Sequence, residues 1–523
     1  MEAAERSLRK MTDLRPAWFI PAALFLFALG VRLAVVGPAH FDGLYGQDAF
    51  AYLDYTRQIL AHDLRGPFYW PLGYPAVAAL FALGLRDPAL GGLAASVTLG
   101  ALLSPLVYEL ALEASRPHLG QGEASARKAA LVAGLVVALS GQAIQSSIVM
   151  MADVTALFWA TLSAWLLFRF ARTNRLICLL GAAIALALAI VTRWIFFGLV
   201  PPWVLFTVLA RRSGTALARP RWQTYGVAAA LALLIVLPQV AFSQLSAAPV
   251  LKHSWVVDWS PLNAWRISFD NPDGHFDYRL PPFLFYAEPA FHPFYLFPLF
   301  TPFVCLGVWR LRRSAELILL GGWGLVLYGY LCGLPYENFR FGLAYLPPAV
   351  VFAAVGLFAL PRRWSSLAAS RWRPPGGVWA WLTGAVLLAS LPFVYRGLDN
   401  FLSIKTREVA AVRYLQMRLP PGSTVLTFGL TLSLSYYTNF QPIDLFKVPP
   451  ASLPALAGAA SPLYVFVEQD NLETQWVGLP PQVNFHWFRD RAGLQLLGRE
   501  STWFLYVVKR YEGCTGHTGL LGS

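Results

Sequence analysis

Charge is what this sequence has least of. Of its 523 residues only 13% are Asp, Glu, Lys or Arg, where an ordinary soluble domain carries roughly 25%. That shortage excludes a soluble globular chain. Cysteine is equally sparse. Cys178, Cys305, Cys332 and Cys514 stand far apart, with no CxxC and no histidine cluster, which excludes a disulfide framework and a zinc site. No internal repeat is visible, and no mirrored pair of broken apolar segments of the kind that marks transporters. The formal charge of +13 would suit nucleic acid or anionic lipid, but its placement decides what it means.

Apolar length is abundant. The chain is 57% hydrophobic and 15% aromatic, with 19 Trp, a residue that favours the headgroup layer of a bilayer. Apolar runs of the roughly 17–25 residues that cross a hydrocarbon core fall near 17–37, 89–113, 128–147, 151–170, 176–192, 194–210, 224–243, 293–310, 315–334, 341–360 and 377–395. About eleven spans are therefore expected, with "PLGYPAVAALFALGL" (71–85) a further partial span or re-entrant helix. The first run is longer than the apolar core of a cleaved signal, roughly 7–15 residues, so an uncleaved first span is expected.

Lys and Arg then set the expected orientation. With Arg6, Arg9, Lys10 and Arg15 in the cytoplasm, alternate connections carry Arg116, Arg127 and Lys128; Arg169, Arg172 and Arg175; Arg211, Arg212, Arg219 and Arg221; Arg310, Arg312 and Arg313; and Arg362, Arg363, Arg371 and Arg373. The two long opposite connections, 38–88 and 244–292, are net acidic. The positive charge thus reports topology and calls for no nucleic acid. An odd number of spans puts 396–523 on the outer face. There "IKTREVAAVRYLQMRLPPGSTVLTF" reads as helix, turn and strand, "SPLYVFVEQ" as a strand, and "GLQLLGRESTWFLYVVKR" as two strands. The expected architecture is an α-helical polytopic membrane domain, 1–395, with a small extracytoplasmic α/β domain, 396–523.

The ionisable residues outside the basic loops and the tail gather in five outer-face stretches: "FDGLYGQDAFAYLDYTRQIL", "SSIVMMADVTALF", "VTRWIFF", the 244–292 loop and "PYENFRFGLAYLPP". Ionisable groups beside a span are costly and ask for individual explanation, and one site could collect these. Asp48 and Asp153 are the central pair, able to divide labour as general base and as metal ligand or orienting group. Each would also serve simply as a helix N-cap, while Asp54 and Arg57, three apart on a helix, would pair with each other or face solvent. Arg340, Arg193 and Lys252 are the candidate phosphate cations. Arg340 could instead pair with Glu337, and Arg193 could anchor at the interface. In the 244–292 loop His253, Trp255 and Trp259 could contact sugar or merely sit at the membrane surface; "DNPDGHFD" lacks the spacing of an EF-hand.

The order of a first span, an acidic amphipathic helix, "WPLGYPAVAAL" and then an Asp opening a span in "MADVTALF" resembles the GT-C superfamily of membrane glycosyltransferases. The protein O-mannosyltransferase and aminoarabinose-transferase branch is the one it is similar to. "ENFRFGLAYLPP" resembles that branch's Arg-aromatic…Pro pattern, and the α/β tail fits it. The resemblance implies transfer of a sugar from a polyprenyl-phosphate donor to a lipid, glycan or protein acceptor at the outer face, with Asp48 as the catalytic carboxylate and Asp153 helping to form the site. In place of that family's Asp-Glu pair this chain has Gln47-Asp48, which weakens metal binding. Were a divalent cation, Mg or Mn, to be used, Asp48 and Asp153 would hold it. A bacterial inner membrane with a periplasmic tail is the expected setting. The rival expectation is a transporter or flippase of lipid-linked sugars, which needs no carboxylate poised for proton transfer.

Overall fold

The computed structural model describes residues 18–509 apart from 65, 67, 120–122, 213–221, 246–253, 296–299, 368–377 and 460. Lys252 and His253 lie outside the described residues, as do Arg219, Arg221, Arg371, Arg373, Cys514 and the four basic residues at the N-terminus. The described chain falls into two compact units. One comprises the chain up to Trp265 with Pro281–Asp399, and the other Arg266–Leu280 with the chain from Asn400.

The first unit is built from apolar helices: α1 Phe19–Ala39, α2 Gly46–Leu60, α3 Gly73–Leu85, α4 Pro88–Ser115, α5 Glu123–Leu139, α6 Gly141–Ile148, α7 Ala152–Thr173, α8 Leu176–Thr192, α9 Val200–Arg212, α10 Trp222–Leu245, α11 Thr301–Leu311, α12 Ala315–Cys332, α13 Leu346–Leu367 and the start of α14, Val378–Arg418. Among the described residues six helices are long and apolar enough to cross a membrane, or seven if the α5–α6 pair, bent by 54°, is one span. Eleven were expected. The runs at 176–192, 194–210 and 293–310 form shorter apolar helices instead, Leu176–Thr192, Trp194–Leu209 and Thr301–Leu311, the first two separated by Arg193 in extended backbone. The 71–85 run is likewise a short helix, α3.

Small residues draw these helices together. Ala126, Ala129, Ala130 and Ala133 of α5 and Ala182, Ala183 and Ala189 of α8 are all buried, and small faces let backbones approach where no hydrophobic gain separates protein from lipid. The closest crossing is between α11 and α13. A Cβ at Gly307 would strike the Phe352 carbonyl, and one at Gly356 the Phe303 carbonyl, so only glycine fits at either position. The span windows of α1 and α10 are just 17% buried and that of α4 is 78% buried, the gradient expected between a lipid-facing rim and a packed centre. At the α5–α6 bend the Gln142 amide donates to the Phe294 carbonyl (3.0 Å), which re-satisfies a polar group in the broken helix.

The second unit carries a five-stranded sheet, with β3 Thr424–Thr427, β4 Gln441–Asp444, β5 Leu463–Glu468, β6 Leu494–Glu500 and β7 Trp503–Val508 in the order β4-β3-β5-β7-β6. β3 runs parallel to β4 and β5, while β7 runs antiparallel to β5 and β6. Val465, Phe466 and Val467 are all fully buried, as a central strand covered on both faces requires. Ala411 and Leu415 of α14 pack with Phe466 on one side; Trp476, Phe485 and Phe488 pack with Val465 and Val467 on the other. The hairpin β1 Ser268–Asn271 and β2 Gly274–Asp277 belongs to this unit although its sequence lies within 244–292. Its His275 amide donates to the Gln475 carbonyl (2.9 Å), and Gln475 Nε2 donates to the Asp273 carbonyl (2.9 Å). The acids of "DNPDGHFD" are thus hairpin residues.

Candidate active site

Four local structures each deliver one charged side chain to a single cavity in the first unit. Asp48 sits in the first turn of α2, whose N-cap is Tyr45, so it is not the N-cap itself; a carboxylate there still faces the positive end of the helix dipole. The helix is held down by the buried side chains of Phe50, Tyr52, Leu53 and Tyr55. Tyr52 packs edge-on to Tyr74 (5.1 Å between centroids) and Tyr55 to Phe68 (4.5 Å). Asp153 is in the first turn of α7, where Met151 is the N-cap and makes no side-chain cap. The Met150 amide donates to the Gly43 carbonyl (2.9 Å), which ties the approach to α7 to the approach to α2.

Arg193 occupies the break between α8 and the 3₁₀ turn Trp194–Leu199. The start of α3 presses on this break so closely that a Cβ on Gly73 would lie 2.6 Å from the Val191 carbonyl oxygen. Arg340 lies in the 3₁₀ segment Phe339–Tyr345, whose first amides are capped by Asn338 (Arg340 N–H to Oδ1, 3.1 Å). Tyrosines fix that segment from behind. Tyr286 Oη donates to the Tyr336 carbonyl (3.1 Å) and accepts from the Asn338 amide (3.2 Å), and the Tyr295 hydroxyl bonds the Phe339 carbonyl.

The cavity opens to solvent and, with that open space, holds about 840 Å³. Asp48, Asp153, Arg193 and Arg340 all line it, with Tyr52, Trp70, Trp194 and Tyr330 among the aromatic walls. Its charges are matched in pairs. Arg340 Nη2 is 2.5 Å from Asp48 Oδ2, and Arg193 pairs with Asp153. Phe341 stands between the guanidiniums, with Arg193 Cζ 5.0 Å and Arg340 Cζ 5.5 Å from its ring centre, a cation–π arrangement on both sides. The Asp153–Arg193 pair is the deeper one, its carboxylate side chain 7% exposed against 30% for Asp48.

One wall is a strap that sequence reasoning passed over. Tyr69, Trp70 and Pro71 line the cavity. The Tyr69 amide donates to Tyr55 Oη (2.8 Å) and the Leu72 amide to Gln239 Oε1 (3.1 Å). Gln239 is a buried polar residue inside the apolar helix α10. Such a residue asks for a partner, and that was the available signal.

Residues 86–248 match the family model described as dolichyl-phosphate-mannose-protein mannosyltransferase. No curated protein matches the chain. Solved structures do. ArnT from Cupriavidus metallidurans bound to undecaprenyl phosphate superposes with a TM-score of 0.56 at 13% identity, over 93% of this chain and 97% of that one. The apo oligosaccharyltransferase of Archaeoglobus fulgidus gives 0.57 at 13% identity, over 95% and 75%. The same oligosaccharyltransferase tethered to an acceptor peptide with the NVT sequon gives 0.54 at 14% identity, over 86% and 70%. The fold is that of ArnT and of the archaeal oligosaccharyltransferase. The chain is a multi-pass integral membrane protein.

Within this fold four of the expected site residues converge and others do not. Arg340 pairs with Asp48 rather than with Glu337, because the 3₁₀ turn carries position 340 toward α2 while Glu337 stays outside the cavity lining. Burial, and then the charge of Glu288, push the Glu337 carboxyl up to about 8. Trp259 is committed elsewhere: its Nε1 donates to the Tyr330 carbonyl (2.9 Å), and it is not in the cavity lining. Trp255 falls in the described turn Ser254–Val257, next to the cavity residue Val256. Asp54 accepts from Gln58 Nε2 (2.6 Å), one turn away, and both Asp54 and Arg57 are exposed. As for a metal, both cavity carboxylates are engaged by arginine, and no group of three or more His, Cys, Asp or Glu gathers among the described residues. A donor set already neutralised by guanidinium does not fit a divalent cation, which is held by several uncommitted oxygens.

Proposed function

We propose that this protein is an integral-membrane glycosyltransferase that moves a sugar from a polyprenyl-phosphate donor to a hydroxyl-bearing acceptor. The observation that carries the reading is the Asp48–Arg340 contact at the wall of an open cavity, beside a second Asp–Arg pair. Transfer to a hydroxyl needs a base for the proton leaving the acceptor and a fixed cation for the charge gathering on the departing phosphate. Asp48 supplies the first and Arg340 the second, with Arg193 behind it. The match to the mannosyltransferase family model and the likeness to ArnT bound to undecaprenyl phosphate support a lipid-linked donor.

The acceptor oxygen bonds to the anomeric carbon as the sugar–phosphate bond breaks. The proton goes to Asp48 and the electron pair to the lipid phosphate, which Arg340 holds bidentately. The first turn of an amphipathic helix is a suitable mount for that base. A polyprenyl donor keeps its phosphate at headgroup depth, where such a helix lies.

The reaction is tested by presenting purified protein with polyprenyl-phosphate sugars and a membrane extract as acceptor source. Release of polyprenyl phosphate by the wild type, lost in Asp48→Asn with folding intact, is expected; equal release by both would remove Asp48 from the role of base. We further propose that the N-terminus is cytoplasmic and the sheet domain extracytoplasmic, since the basic connections alternate with ones that carry few Lys or Arg, the two long ones being net acidic. Thr474→Cys should then react with an impermeant thiol reagent in intact cells. Labelling only after permeabilisation would invert the orientation.

A further inference from the structure

Arg340 is poorly satisfied for a buried guanidinium. A guanidinium offers five N–H donors, and this one spends Nη2 on a single Asp48 oxygen and Nη1 on the Met151 sulfur, a weak acceptor, while its buried Nε has no hydrogen-bond partner among the described residues. Leaving a buried donor unmade is costly, and a ligand is one of the explanations such a group calls for. The same arginine nevertheless occupies the carboxylate that the reaction needs as a base. A carboxylate oxygen that accepts from a guanidinium at 2.5 Å is not open to an acceptor hydroxyl.

Building on the glycosyltransferase reading, we propose that Arg340 masks Asp48 until a donor arrives, and that the donor's phosphate unmasks the base by taking the guanidinium from it. The cavity balances two acids with two arginines, so a phosphodiester brings one negative charge more than the resting site can neutralise. One guanidinium must then be shared or surrendered. The Asp48 pair yields rather than the Asp153 pair, because its carboxylate is 30% exposed against 7% and can be rehydrated as it leaves. Phosphate offers Arg340 what it lacks, two oxygens in the plane of its fork, and so satisfies Nε as well. Asp48 is then free to receive the acceptor proton, and only while a donor is in place. After transfer the lipid phosphate leaves, Arg340 returns, and the base is masked again.

The consequence to measure is a competition: Asp48 opposes lipid phosphate for the same guanidinium. Binding of undecaprenyl phosphate, titrated against full-length protein in detergent, should tighten by about tenfold or more in Asp48→Asn and weaken by a similar factor in Arg340→Met. Asp153→Asn removes the same charge from the same cavity but frees Arg193 instead of Arg340, and should tighten binding clearly less than Asp48→Asn does. Thermal melts establish that each variant is folded, and Asp48→Ser gives the same reading should the asparagine variant fail to fold. Equal tightening in the Asp48 and Asp153 variants would overturn the exchange in favour of general electrostatics. Unchanged or weaker binding by Asp48→Asn, beside a wild type that binds, would overturn the mask and leave the transferase reading standing. No binding by the wild type or any variant would overturn both.

Discussion

Helix α7 carries two arginine–carboxylate clusters, one at each end, and they behave differently. Its first turn holds Asp153 at the cavity, and its last turn holds Arg172, roughly 28 Å away along the axis. At the far end Glu113 takes Arg116 at 3.0 Å and Arg172 at 2.6 Å, one arginine on each oxygen, while Arg116 and Arg127 share Glu123. These contacts join the end of α4, the start of α5 and the end of α7. At the cavity end each acid has one arginine, a guanidinium nitrogen is left without a partner, and about 840 Å³ of space adjoins them. The residue types are the same. What separates a stitch from a site is the open volume beside the charges.

The comparison breaks most sharply at Arg340. Arg340→Met should lower transfer by about 10²–10³, the cost of one preorganised donor to a developing anion, with the melting temperature little changed. At the far end the effect should reverse. Glu113→Gln leaves two arginines against a neutral side chain and should cost about 3 kcal/mol of stability, while the protein that remains folded turns over normally. Gln239→Leu is expected to be milder. It frees the Leu72 amide and loosens the strap, costing about 1 kcal/mol and raising the donor KM several-fold with kcat kept.

A further effect concerns pH and a buried acid outside the cavity lining. Glu337, 7% exposed, has its pKa raised by burial and by Glu288 to about 8, against roughly 4.3 unfolded. The folded state therefore binds a proton that the unfolded state lacks between those values. Its contribution to stability is full below about pH 4 and is lost as pH rises through about 8. Melting temperature in detergent should fall between pH 6 and 9, and Glu337→Gln should remove that part of the slope, on the order of 1 kcal/mol per pH unit.

Much of this contrast is visible in the sequence, for a physical reason. Ionisable residues are so rare in apolar segments that the few at Asp48, Asp153, Arg193 and Arg340 stand out, and alternating loop charge puts them on one side. Partner choice is not visible. Arg340 lies three residues from Glu337 and 292 from Asp48, yet it pairs with the distant acid, because the turn from 339 to 345 is set by tyrosines reaching in from residues 286 and 295. The strap was hidden for a similar reason: Gln239 looks like a stray polar residue until Leu72 is brought to it. The span count differs from the helix count, about eleven expected against six or seven helices long enough to cross among the described residues, because several apolar runs fold as shorter or broken helices. In the sheet domain three strands follow from β-rich runs and "PPGSTVLTF" supplies a fourth, but β4 is four residues with Pro442 inside, which reads as a loop until it pairs at the edge of the sheet.

The most direct test is single-turnover release of polyprenyl phosphate from a bound lipid-linked sugar, compared between wild type, Asp48→Asn and Glu113→Gln at matched folded concentration. The account predicts that Glu113→Gln releases at the wild-type rate and that Asp48→Asn is slower by at least about 10². Release by Asp48→Asn at the wild-type rate, or a loss in Glu113→Gln as deep as that in Asp48→Asn, would contradict it.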